Sequence, residues 1–279
     1  MALVSNTYGK GRVRVMRVER STDRHEVREL TVKAMVEGDF AQTYTDADNS
    51  KCLSTDTVKN VINIVARENL ALDSEEFCTA VAQRLLDKYP QVWSAKVEGF
   101  ETKWVRSAFG GKEHNHTFTL DSNGKPFATV SAPRGKPMTI VSGIDGFTFL
   151  KTTESGWDNY ARDPYTTIME TRDRMCATAM LAHWSWVKKP ADYKTANAKV
   201  LSTALEVFGT TYSASVQDSL YRMGMAVLTA VPEVHEISFA CPNKHYLLMN
   251  LSAFNLDNNN VVFLPTDEPH GQIECTVGR

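Results

Sequence analysis

The chain is punctuated twice in the same way, and that repeat limits its architecture more than any single motif does. Tyr89-Pro90-Gln91-Val92 and Val231-Pro232-Glu233-Val234 each stand where a helical pattern gives way to a strand pattern. The interval that separates Pro90 from Pro232 also carries Asp73 onto Ser215, and both are helix-start residues. Self-similarity at a fixed offset marks a duplicated unit. In the first half, Arg12-Val13-Arg14-Val15 and Leu30-Thr31-Val32-Lys33-Ala34 alternate as half-buried strands do, with the polar run Ser21 to Arg24 as the hairpin loop between them. Val58, Val61, Ile62 and Val65 recur at helical spacing behind Thr55-Asp56, either of which suits the cap position. Asp73 with Glu76 makes a capping-box-like start for a second helix, whose Phe77, Val81 and Leu85 share one face. Strands over Val92 to Arg106 and His116 to Val130 complete the order ββααββ.

The second half repeats that order. Strand patterns over Ile140 to Thr152 and Thr171 to Trp186 precede a helix carrying Leu201, Leu205 and Phe208, closed by Gly209 as an αL cap. A further helix carries Val216, Leu220, Met223 and Val227. The expected class is α+β: two units, residues 1–136 and 137–279, each an antiparallel four-stranded sheet with two helices on one face. A sheet covered on one face must cover or solvate the other, so association between copies is expected.

Composition narrows the function classes. The chain has 279 residues, 42% of them hydrophobic, enough for two cores. A net charge of -2 supplies no basic field for nucleic acid. The five cysteines, Cys52, Cys78, Cys176, Cys241 and Cys275, form no CxxC pair, which argues for reduced thiols rather than a disulfide framework or zinc knuckle. No apolar run approaches the roughly 20 residues that span a bilayer, and the N-terminus carries no signal pattern. The reading is a cytoplasmic protein with no nucleic-acid or membrane partner.

Chemistry concentrates in short polar strings: Tyr8-Gly9-Lys10, Thr55-Asp56-Thr57, Ser213-Ala214-Ser215-Val216-Gln217 and Pro242-Asn243-Lys244-His245-Tyr246. Asp46-Ala47-Asp48-Asn49-Ser50, Arg162-Asp163-Pro164-Tyr165-Thr166-Thr167, Glu170-Thr171-Arg172-Asp173-Arg174 and Cys275-Thr276-Val277-Gly278-Arg279 lie among and after them. In this order and spacing they resemble the urate oxidase (uricase) family over nearly the whole chain. The resemblance implies two tandem tunnelling-fold domains that assemble as a homotetramer, with sheets closed into an oligomeric barrel and active sites at subunit interfaces. It also implies oxidation of urate by O2 to 5-hydroxyisourate with release of H2O2, using no metal, flavin or haem. Eukaryotic members often end in a peroxisomal Ser-Lys-Leu, whereas this chain ends at Gly278-Arg279, which favours a bacterial cytosolic form.

Roles carry over position by position. Lys10 resembles the base, relaying a proton through the hydroxyl of Thr55, a task that needs an amine kept partly neutral. His245 resembles the proton shuttle, and Asn243 with Thr55 would hold oxygen and later water above the purine ring. Lys244, pointing to the other face of a strand, has no assigned role. Arg174 and Gln217 would grip the planar anion, with backbone N–H groups of Val216 and Asp56 adding contacts, the latter from a neighbouring subunit. The family mostly stacks a phenylalanine on the purine; here Trp157 takes that position, with Tyr160 the alternative under a shifted alignment. Lys10, Thr55 and His245 are expected in one part of the site, and Trp157, Arg174 and Gln217 in the facing part.

Other signals are discounted. His114-Asn115-His116 has two-ligand spacing on a strand but no partner pattern completing a metal site. Gly110-Gly111 and Gly143-Ile144-Asp145-Gly146 read as turns, and Asp257-Asn258-Asn259-Asn260 as a solvated connection. The competing readings are a purine- or pterin-binding enzyme of the same fold and a ligand-binding scaffold without turnover.

Overall fold

Alternating apolar residues in the first half close over two amphipathic helices. The structure, a computed structural model, describes residues 1–68 and 73–279. It divides into two compact units, Met1–Gly143 and Ile144–Arg279. In the first, β1 (Tyr8–Glu19), β2 (Glu26–Gly38), β3 (Val92–Phe109) and β5 (Lys125–Pro133) form an antiparallel sheet in that order. The helices are α1 (Ala41–Thr45), α2 (Thr55–Glu68) and α3 (Ser74–Lys88). Leu30, Val32, Ala34 and Val36 of β2, with Ala95 and Val97 of β3, are buried against Val58, Ile62 and Val65 of α2 and Phe77, Val81 and Leu85 of α3. Each such aliphatic or aromatic side chain contributes about 1.5–3 kcal/mol by leaving water.

Sequence expectations differ from the structure at several points. The segment His116 to Val130 is two strands, β4 (Lys112–Asp121) and β5, because Asp121 Oδ1 accepts the Asn123 N–H and Gly124 takes φ +77, making a turn. β4 leaves the main sheet and pairs with the outer end of β3 across a Gly110-Gly111 turn, both glycines at positive φ. Neither Thr55 nor Asp56 caps α2. Ser54 does, its Oγ accepting the Thr57 N–H at 3.0 Å. Asp73 occupies the N-cap of α3 without a side-chain cap bond, because its carboxylate faces Arg28 at 4.0 Å.

The second unit is built from β6 (Thr139–Lys151), whose first residues belong to the other unit, with β7 (Cys176–Trp186), α4 (Tyr193–Thr210), α5 (Val216–Ala230), β8 (Val234–Leu248) and β9 (Phe263–Gly278). β7, β8 and β9 pair antiparallel. Met180, Ala182 and Trp184 of β7 and Ile237, Phe239 and Cys241 of β8 are buried against Val200 and Phe208 of α4 and Leu220, Met223 and Val227 of α5. Gly209 does not close α4, which runs to Thr210, and Leu205 is exposed rather than on the core face. Residues 171–175, expected as strand, are irregular apart from a bridge between Thr171 and Trp157. Gly143-Ile144-Asp145-Gly146 is not a turn but lies inside β6, with Gly146 at φ +72. Asp257–Asn260 connects β8 to β9 and is stapled by Asn258, whose side chain donates to Met249 O and Val262 O and accepts from Val261 N–H and Val262 N–H. The five cysteines are free thiols. Among the described residues no helix is long and apolar enough to cross a membrane.

Candidate functional site

In the first unit Lys10 and Thr55 lie on different elements, which pack together and share a side-chain anchor between Tyr8 and Leu53. Lys10 is half-buried on β1, opposite Ala34 of β2. A Cβ on Gly9 would collide with the Ala34 carbonyl oxygen and stand 2.8 Å from Met35 Cα, so β1 can approach β2 this closely only with glycine there. Immediately after Lys10 the register shifts and Arg12 adopts φ +56, a bulge that ends regular pairing next to the lysine. Two residues before Lys10, the Tyr8 hydroxyl accepts the Leu53 N–H at 2.8 Å, and its ring meets Phe40 edge-on. That bond ties the strand carrying Lys10 to the turn that leads through Ser54 into Thr55. Thr55 and Asp56 are exposed in the first turn of α2. The Asp56 carboxyl is held below the usual range chiefly by a hydrogen bond from Lys59, with Asn60 and the charge of Lys10 adding to it.

In the second unit the remaining candidates gather at one end of the helix and sheet. Ser215 caps α5, its Oγ accepting the Asp218 N–H at 3.0 Å. Ser219 Oγ lies within hydrogen-bond distance of both Ser215 O, at 3.0 Å, and Ser213 Oγ, at 2.7 Å, which fixes the Ser213-Ala214-Ser215 turn. Val216 and Gln217 take the first two helical positions, whose N–H groups have no intrahelical partner and sit at the positive end of the helix dipole. Val216 is buried and Gln217 exposed. Ala177 of β7 pairs with Lys244 of β8, so Asn243 and His245 flank that pair. Asn243 continues the buried face of Phe239 and Cys241 and, with Cys176, Thr178, Val216 and Ser219, lines a small, largely apolar cavity under the helix start. Burial raises the pKa of both thiols there, that of Cys241 to about 12, so both stay protonated near neutrality. Lys244 pairs with Asp267 at 3.1 Å, away from this cluster.

Arg174 sits just before β7. Its N–H donates to Ser155 O at 2.9 Å, and Ser155 bridges Ser213 beside the α5 cap. Its guanidinium is half-buried, its Nε is buried with no hydrogen-bond partner, and it forms no ion pair among the described residues. Burial lowers its pKa, which marks the cost of holding a desolvated cation that a ligand anion would offset. Trp157 exchanges backbone hydrogen bonds with Thr171 at 2.7 and 3.0 Å, so the segment carrying it is clamped to the one carrying Arg174. Its ring stacks on Tyr160, with centroids 5.4 Å apart and planes 10° from parallel. The two alternatives for a stacking residue thus form one pair.

His245 lies in the second unit with Asn243, Arg174 and Gln217, whereas Lys10 and Thr55 lie in the first. It follows Asn243 on the same strand, and the Ala177–Lys244 pairing fixes both beside the start of β7. Tyr8 is the anchoring residue that residue-by-residue reading passed over. It stood in the quoted string, but nothing local shows that it reaches Leu53. A third imidazole, His25, joins His114 and His116, with centroids 5.9 Å and 4.5 Å from the middle ring. No group of His, Cys, Asp or Glu among the described residues is arranged to hold a metal ion, that one included.

Comparison with known proteins identifies the family. The sequence model of the uricase family matches residues 6–131 and 140–274. The chain is 36% identical to the uricase of Dictyostelium discoideum, over 99% of this chain and 97% of that protein. It is also 36% identical to the uricase of Arthrobacter globiformis, over 100% of this chain and 90% of that protein. The crystal structure of Arthrobacter globiformis uricase superposes with a TM-score of 0.94 at 35% identity, covering 100% of this chain and 95% of that one. Matched along both halves in sequence and in fold, the chain belongs to the uricase family.

Proposed function

We propose that this protein oxidises urate with O2. The observation that carries the reading is Arg174: a half-buried guanidinium with no ion pair among the described residues, on a segment bonded through Ser155 to Ser213 ahead of the start of α5, where Asn243 of β8 lines the cavity. A planar guanidinium, a helix N-terminus and a carboxamide suit a planar anion bearing carbonyl oxygens and ring N–H groups. Arg174 and Gln217 hold the urate edge, the Val216 N–H adds a donor, and Trp157 offers its ring as the stacking surface.

Catalysis then needs urate made electron-rich by loss of a proton. Lys10 takes it through the Thr55 hydroxyl, positioned general-base chemistry worth about 10²–10⁴-fold. Two electrons and two protons pass from urate to O2, giving H2O2. Water then adds its hydroxyl to the oxidised purine carbon and its proton to the ring, giving 5-hydroxyisourate. His245 moves the proton of that water, and Asn243 and Thr55 hold first oxygen and then water above the ring. No step calls on a metal, flavin or haem.

The first unit supplies Lys10, Thr55 and the Asp56 N–H; the second supplies Trp157, Arg174, Val216, Gln217, Asn243 and His245. We take each pocket to join the first set from one subunit with the second set from another in a homotetramer. Exposed Leu247, Leu248, Phe254, Leu256, Val261 and Leu264 around the β8–β9 connection support association, since apolar side chains grouped on one exposed connection suit an interface. The free thiols fit the reducing cytoplasm. The test follows urate by ultraviolet absorbance with chelated protein free of visible flavin or haem absorption. Oxygen-dependent loss with stoichiometric H2O2 is expected. Urate bound without loss, or loss restored only by a metal, would overturn the reading.

A further inference from the structure

Resting on the urate reading above, we infer that Tyr160 is a positioning residue for substrate binding, acting through Trp157. A tryptophan that stacks on a purine must hold its ring plane, and its backbone alone does not set the side-chain torsions. The Trp157 backbone is fixed by the two bonds to Thr171. Its ring plane is fixed by Tyr160, whose ring lies parallel within 10° at 5.4 Å.

Tyr160 is itself held at both ends. Its hydroxyl donates to Ile168 O at 2.6 Å, and the Arg162 guanidinium lies 5.7 Å from its ring centroid. Asn159 at φ +53, with its N–H on Glu170 Oε1 at 3.2 Å, reverses the chain so that the rings of residues 157 and 160 meet. Asp158 pairs with Arg172 at 2.7 Å and closes the clamp to the segment that carries Arg174. One face of the indole is thus backed by a second ring on the clamp that places the urate-gripping guanidinium, and the other face receives the purine. A flat partner behind Trp157 limits the rotamers it samples in the free protein and so lowers the ordering cost of binding.

The test measures urate binding without oxygen, where no turnover occurs, in four proteins: wild type, Tyr160→Leu, Trp157→Leu and the double variant, with Tyr160→Phe as rescue. Aromatic pair energies predict that Tyr160→Leu raises the urate Kd about 2- to 10-fold. In air it should raise KM by a similar factor with kcat nearly unchanged. Tyr160→Phe should restore wild-type Kd, since it keeps the ring and loses only the bond to Ile168 O. In the Trp157→Leu background Tyr160→Leu should add nothing. The inference is overturned if folded Tyr160→Leu binds urate like wild type, if its effect is the same in both backgrounds, or if Tyr160→Phe behaves like Tyr160→Leu. Should Tyr160→Leu fail to fold, Tyr160→Ser removes the ring from this half-exposed loop and carries the same comparison. Wild-type protein that binds no urate at all would defeat the functional reading, and this inference with it.

Discussion

Replacing Tyr8 by phenylalanine removes one oxygen atom and tests whether Lys10 and Thr55, the proposed base and relay, are held together by the bond described above. The Tyr8 hydroxyl accepts the N–H of Leu53, a residue only 8% exposed. Its ring contact with Phe40 at 5.0 Å survives the change. A backbone N–H left without its partner in such a place costs about 1–3 kcal/mol. Tyr8 itself is half-buried, so incoming water offsets part of this, and a loss of about 1–2 kcal/mol is expected. That corresponds to a fall in Tm of roughly 3–6 °C. The functional effect should be larger than the stability effect suggests. Leu53 lies two residues before Thr55, and Tyr8 two before Lys10, so a freed turn lets hydroxyl and amine drift apart. A misplacement of about 1 Å costs as much as 10²-fold in rate, so kcat should fall about 10- to 100-fold with KM changed less. Differential scanning calorimetry gives the first number and ultraviolet loss of urate the second. A variant equal to wild type in both refutes the argument, and one that loses stability while keeping kcat shows that the bond does not set the relay geometry.

Other outcomes follow from the same geometry. Lys10→Met and Thr55→Ala should each cut kcat about 10²–10⁴-fold, and the double variant should be little worse than the poorer single; multiplicative losses would show independent roles. Arg174→Lys keeps the charge but loses the planar fork, so KM for urate should rise about 10- to 100-fold while kcat changes less, and an unchanged KM would contradict the assigned grip. Glu29 is held below the ordinary carboxylate range first by the hydrogen bond from Arg14 and then by the Trp104 indole. Its folded pKa being depressed, its stabilisation is complete above about 4.3, the unfolded value, and is lost as pH falls below that. The Tm gap between wild type and Glu29→Gln should therefore be full at pH 7 and close between about pH 5 and pH 3, whereas a gap independent of pH would show that the charge is not what stabilises.

Legibility in the sequence followed how local each signal was. The duplicated ββααββ order was readable because Pro90 and Pro232 end helices by covalent constraint, and because Val58, Val61, Ile62 and Val65 can share a face only in a helix. Cap assignment failed at Ser54-Thr55-Asp56, where three adjacent residues all have capping side chains and backbone geometry alone selects Ser54. Gly143-Ile144-Asp145-Gly146 misled because glycine serves irregular strands as well as turns. The excursion of β4 was invisible, since alternation marks a strand without naming its partner. At the site, residue types pointed to base, shuttle and anion grip, but their grouping depended on long-range pairing. Only the Ala177–Lys244 register puts Asn243 and His245 beside the start of β7. Only the left-handed backbone at Asn159 makes Trp157 and Tyr160 a stacked pair instead of alternatives.

The central claim is that urate is oxidised in a pocket whose two halves come from different copies of the chain. Coexpression of two inactive variants tests it most directly. Thr55→Ala damages the half built in the first unit and Arg174→Ala the half built in the second. If subunits mix at random, roughly a quarter of the pockets in the mixed oligomers take both intact halves. Differently tagged subunits purified in tandem should then oxidise urate at a substantial fraction of the wild-type rate, while each variant alone stays near zero. Mixed oligomers that form but recover no activity would contradict the account.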